Sequence, residues 1–119
     1  MAFAWPTDDV AQAVDDAIPG IWPAFIGRIV EGARNSRSRV RVSSWYRPAA
    51  HNARVGGHRD SQHQAGLAFD LVTDNPVRLE MELDRQGLIA VREARHVHVQ
   101  AYPAGVVTGL VRQIVRDET

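Results

Sequence analysis

The chain has 119 residues, 45% of them hydrophobic, and a formal net charge of zero, which suffices for one core and leaves little room for a second domain. A neutral chain lacks the basic excess of a general nucleic-acid binder, and the absence of cysteine excludes disulfides, a thiolate nucleophile and any Cys-ligated metal. All 14 basic residues are arginine, which fits a GC-rich genome.

No apolar run approaches the ~18 residues that a membrane span needs. The start, Met1 to Asp9, lacks the basic-then-apolar pattern of a secretory leader. The expectation is a soluble chain made in the cytoplasm, without membrane insertion, folding as a single domain over residues 1–119.

Thr7 followed by Asp8 and Asp9 reads as a helix start, with carboxylates favoured by the N-terminal dipole. Val10, Val14 and Ala17 form its apolar stripe, and Pro19-Gly20 ends it. A second helix is expected from about Pro23, with Phe25, Ile26, Ile29 and Val30 as its apolar face. From Arg39 the period changes to two, and Val40 and Val42 alternate with arginine and serine as in a half-buried strand. Pro48 to Arg54 predicts a short helical turn stopped by Gly56-Gly57. Leu67, Phe69 and Leu71 alternate with Ala68 and Asp70 in a second strand. Asn75-Pro76 supplies a cap and first position for a helix ending near Gln86-Gly87. Val91 and the run Val97 to Val99 mark two further short strands, and Val107, Leu110, Val111, Ile114 and Val115 an amphipathic C-terminal helix. The sum is an α+β domain with a small, mainly antiparallel sheet flanked by helices.

The histidines cluster. His51, His58 and His63 fall in the glycine-rich middle, His96 and His98 in one strand. In that strand positions 96, 98 and 100 share a face while Val97 and Val99 face the core. Two imidazoles so placed are roughly 6.5–7 Å apart at Cα, so both could bind one metal, or one binds it and the other stands beside an open coordination position. Asp70 is opposite in phase to its apolar neighbours. It is either on a solvated face, paired with one of the arginines, or a ligand, because a covered carboxylate needs a partner. His63 precedes it across Gly66, where the backbone can turn tightly. His63, Asp70 and one of His96 and His98 then form a three-ligand N, N, O set of the kind catalytic zinc uses.

The segment Ser61-Gln62-His63-Gln64-Ala65-Gly66-Leu67-Ala68-Phe69-Asp70 has the form Ser-x-His-x-x-Gly-x-Ala-x-Asp. It resembles the zinc motif of the D-alanyl-D-alanine carboxypeptidase and L-alanyl-D-glutamate endopeptidase family, whose fold is shared by the Hedgehog signalling domain. Ser44 to Pro48 and His51 to Gly57 resemble the stretch preceding that motif, and His96-Val97-His98-Val99 the strand bearing the last ligand. The resemblance implies a zinc peptidase acting on peptidoglycan stem peptides, with His63, Asp70 and His98 as the Zn²⁺ ligands. It implies a substrate-contacting role for Arg47 near the scissile bond, and Ser61 is expected in the same substrate-binding region, holding the motif loop. Many relatives carry an acid three residues before the last histidine, where this chain has Arg95. His96 is therefore the first candidate for the general base and Glu93, out of phase with it in a regular strand, the second. His51 and His58 are expected to be exposed or locally bonded. The resemblance leaves endopeptidase and carboxypeptidase open. It suggests a phage lysin or tail-associated enzyme that reaches the cell wall after release or delivery. The alternative is a non-catalytic, zinc-stabilised binding module of the same fold.

Overall fold

A computed structural model describes residues 4–118. Thr7 caps helix α1 (Asp8–Ala17) by accepting from the Val10 N–H, and Asp8 and Asp9 occupy its first turn. The helix buries Val10 and Val14, but Ala17 is exposed and Ala13 packs against the core instead. Helix α2 (Ile21–Ser36) starts two residues before the expected Pro23. Proline is tolerated there because first-turn N–H groups have no intrahelical acceptor. Phe25 and Ile29 are buried as expected, whereas Val30, turned roughly 100° from Ile29, is 48% exposed. Gly32 completes the buried stripe; a Cβ there would lie 2.9 Å from Leu83 Cδ2, so its absence lets helix α4 (Pro76–Arg85) approach.

Strands β1 (Val40–Ser44), β2 (Ala68–Thr73), β3 (Ile89–Arg92) and β4 (Val97–Gln100) form one antiparallel sheet in the order β1-β2-β4-β3. Val97 and Val99 are fully buried on the core face, beside Phe69 and Leu71. His98 and Gln100 fall on the opposite face, paired with Asp70 and Ala68. Strand β2 does not alternate in burial from Ala68 to Leu71, because the segment carrying His63 covers its second face. In β1 the register slips between Val42 and Ser44: Val42 pairs with Leu71 and Ser44 with Asp70, leaving Ser43 as the extra residue of a β-bulge.

Asn75 caps α4 by accepting from the Arg78 N–H, with Pro76 first in the helix, and Leu79 and Leu83 are buried. Pro48 precedes the short helix α3 (Ala49–Arg54). Helix α5 (Thr108–Glu118) buries Val111 and Ile114, with Val107 just ahead of it. Its Arg112 pairs with Asp60 at 3.0 Å, and Glu118 accepts from the Ala49 N–H at 3.0 Å and from the Tyr46 hydroxyl. These elements make the expected α+β fold, and among the described residues no helix is long and apolar enough to cross a membrane.

An aromatic column supports one edge of the site. Trp45 stacks on Phe69 with ring centroids 5.1 Å apart, Trp22 meets Trp45 edge-on, and Phe25 packs on Phe69. Both indoles also donate to the backbone of the motif loop, Trp22 to the Ala65 carbonyl at 3.3 Å and Trp45 to that of Gly66 at 2.9 Å. Gly66 has φ +65°, and a Cβ there would lie 2.9 Å from Trp22 Cζ2. Glycine thus serves both the turn and the indole lying on it.

Candidate metal centre

The site is built around one carboxylate. Asp70, in the buried part of β2, is 3% exposed and lies directly across from His98 on β4. His63 sits in a 3-10 turn, Gln62–Ala65, capped by Ser61, whose Oγ accepts from the His63 N–H at 3.2 Å. Three imidazole nitrogens face Asp70 Oδ1: His98 Nδ1 at 3.1 Å, His63 Nε2 at 3.2 Å and His96 Nε2 at 3.5 Å. The second oxygen, Oδ2, accepts from Arg47 Nη2 at 2.6 Å, and Arg47 Nε donates to Ser44 Oγ at 3.1 Å. Asp70 is therefore not on a solvated face: it is paired with an arginine, and its other oxygen faces three histidines.

The donor atoms of His63, Asp70 and His98 all lie within 4.8 Å of one another. His63 Nδ1 is 2.5 Å from the Trp45 carbonyl oxygen. A carbonyl only accepts, so that nitrogen carries the hydrogen, and in the neutral form of the ring Nε2 presents its lone pair to Asp70. A lone pair aimed at a carboxylate oxygen is repulsive unless a cation or a proton lies between them. Two imidazoles and a carboxylate, one ring held by a backbone carbonyl, match the donor chemistry and outer support of a zinc site.

Burial pushes the Asp70 carboxyl up, but hydrogen bonds with His63 and His98 and the charge of His63 and His96 outweigh it and hold the group well below the usual carboxylate range. Burial lowers His98, and its hydrogen bonds to Asp70 and Gln100 with the charges of Asp70 and Glu93 outweigh that and raise it above 6.5. A metal held by His63, Asp70 and His98 would compete with protons for these groups.

Glu93 and His96 do not belong to one regular strand, so the expected difference in phase does not apply. They flank the tight turn between β3 and β4, where the Glu93 N–H donates to the His96 carbonyl at 2.8 Å. Glu93 Oε2 lies 3.3 Å from His96 Nε2. Arg95, between them, is exposed. His51 is exposed on α3, and the exposed His58 accepts at Nδ1 from the Asp60 N–H at 3.0 Å. The sequence reading did not assign parts to the Trp45 carbonyl, Gln62 or Tyr102. A backbone carbonyl leaves no mark in a sequence, whereas Gln100 had one, its place on the face of His98.

These groups line a cleft of about 560 Å³, with Arg47, Asp70, Glu93, His96 and His98 on its wall. Compared with known proteins, residues 28–100 match the peptidase M15 family. The chain belongs to the peptidase M15 family. No curated protein and no solved structure matches it. Peptidase M15 enzymes are zinc-dependent metallopeptidases, and among the described residues His63, Asp70 and His98 form a group that could hold the ion. The M15 match begins inside α2 and ends at Gln100, so all the elements bearing site residues fall within it while α1 and α5 lie outside.

Proposed function

We propose that this M15 chain hydrolyses peptide bonds in bacterial peptidoglycan stem peptides, of the D-Ala-D-Ala or L-Ala-D-Glu type. The observation that carries the reading is the division of Asp70 between Arg47 on one oxygen and three histidines on the other, at the wall of an open cleft. In this reading His63, Asp70 and His98 hold zinc, which when bound supplies a Lewis acid that activates water and polarises the scissile carbonyl. His96 Nε2, beside the site but outside the three-ligand group, accepts the proton of the attacking water and returns it to the leaving amine. Glu93, 3.3 Å away, stabilises the imidazolium formed in between. Arg47 holds Asp70 in place and, from the cleft wall, offers positive charge to the substrate carbonyl or a nearby carboxylate. Ser61 acts on substrate indirectly, by holding the turn that presents His63.

A phage lysin or tail-delivered enzyme is the setting that suits this activity. The test is release of new amines from purified peptidoglycan, with zinc content measured on the same sample. One zinc per chain with chelator-sensitive release supports the reading. Zinc without release from several wall types favours a zinc-stabilised binding module, and a chain that binds no zinc overturns the site.

A further inference from the structure

Two glutamines and the backbone N–H and carbonyl of Tyr102 join the segments that carry His63 and His98. Gln62, buried and adjacent to His63, accepts from the Tyr102 N–H at 3.2 Å and donates Nε2 to the Tyr102 carbonyl at 2.6 Å. The same carbonyl accepts from Gln100 Nε2 at 2.7 Å. Since a carbonyl can only accept, the NH₂ end of the Gln100 amide faces Tyr102 and its oxygen faces the other way. That oxygen lies 2.8 Å from His98 Nε2. An amide oxygen also only accepts, so His98 Nε2 carries a hydrogen and Nδ1 is the nitrogen left to face Asp70.

We propose that Gln100 is a positioning residue for the metal. It fixes His98 in the Nε2–H form and, through the Tyr102 carbonyl and Gln62, ties the orientation of that ring to the turn bearing His63. The inference rests on the zinc reading above. The position calls for an amide: a carboxylate would set an oxygen against the Tyr102 carbonyl, and an apolar chain would leave His98 Nε2 without an acceptor. Loss of an outer partner of this kind typically weakens a metal site by about 10- to 100-fold.

The test combines zinc affinity by chelator competition with nitrogen-15 spectroscopy of the histidine rings in the zinc-loaded protein. Wild type is expected to carry the His98 hydrogen on Nε2. Gln100→Met, close in shape but without an acceptor, is expected to bind zinc about 10- to 100-fold more weakly and to fold with a lower chelated unfolding temperature, since His98 Nε2 loses its acceptor. Gln62→Leu, which cuts the link at its far end, is expected to weaken zinc by a smaller factor. A hydrogen on His98 Nδ1 in loaded wild type overturns the proposal, and so does Gln100→Met binding zinc within about twofold of wild type. If Gln100→Met does not fold, the wild-type spectrum decides alone. A wild-type chain that binds no zinc removes the zinc reading itself, a result separate from failure of the Gln100 role.

Discussion

Arg47 Nη2 lies 2.6 Å from Asp70 Oδ2, on a carboxylate whose other oxygen faces three histidines. The guanidinium therefore sets which oxygen is left for a metal. Arg47→Ala is expected to weaken zinc binding by about 10- to 100-fold, as loss of other outer partners does. Hydrolysis measured at saturating zinc separates two roles. Full recovery means that Arg47 acts through Asp70 alone, whereas a remaining deficit of roughly 100-fold means that it also meets the substrate. Arg47→Lys should fall between wild type and alanine, since a lysine cannot span Ser44 and Asp70 as the planar fork does.

His96 and Glu93 are expected to separate in their effects. His96→Ala should lower kcat by about 10²- to 10⁴-fold with zinc still at one per chain. Glu93→Gln should cost less, because Glu93 reaches the reaction only through His96 Nε2. Steady-state rates with metal analysis on the same samples check this. Unchanged kcat in His96→Ala would move the proton transfer to another group.

The metal-free protein should have a distinctive dependence on pH. Asp70 titrates lower in the fold than its ordinary 3.8, so its contribution is full above that value and is lost as pH falls through the folded pKa. His98 titrates higher than its ordinary 6.5, so its contribution is full below 6.5 and is lost as pH rises through the folded pKa. Stability with chelator should therefore be greatest between about pH 4 and 6.5 and decline above it. Zinc competes with those protons, so its stabilisation should grow with pH. Unfolding temperatures with chelator and with zinc test both trends; a chelated protein that becomes more stable from pH 6.5 upward contradicts the assignment.

Gly66→Ala should damage fold and site together. The left-handed backbone costs a non-glycine residue about 1–2 kcal/mol. The added Cβ, 2.9 Å from Trp22 Cζ2, also has to displace an indole held to the Ala65 carbonyl. We expect a loss of about 2–4 kcal/mol by chemical denaturation and weaker zinc binding, because the shifted turn carries His63. Gly20→Ala has open space around its Cβ and should show the backbone cost alone.

The parts of this fold governed by local chemistry were legible in the sequence. Thr7 and Asn75 cap the helices expected of them, and the alternation around Val97 and Val99 places the core on the right side of β4. Features set by neighbours distant in the chain were not legible. Val30 has the character of a core residue but is exposed, and Ala17 is replaced on its stripe by Ala13. Glu93 and His96 are out of phase in a regular strand, but the chain makes a turn there that brings them together. At the site, motif resemblance and strand phase pointed to His63, Asp70 and His98, which the fold brings together. The partners that orient them, a tryptophan carbonyl and a glutamine held by Tyr102, depend on tertiary contacts that no spacing rule describes.

The bulge at Ser43 gives the length of β1 a meaning of its own. Because Ser43 is the extra residue, Ser44 rather than Ser43 stands across from Asp70, and the chain beyond it delivers the Trp45 carbonyl to His63 and Arg47 to Asp70. Deleting one residue here could leave a regular ladder with Val40 and Val42 still facing inward, yet every later group would arrive one position out of step. Substitutions at Val40 and Val42 are thus a matter of packing, whereas insertions and deletions are a matter of activity, and chains that keep this centre should conserve the count of residues from Val42 to Arg47 as strictly as Arg47 itself.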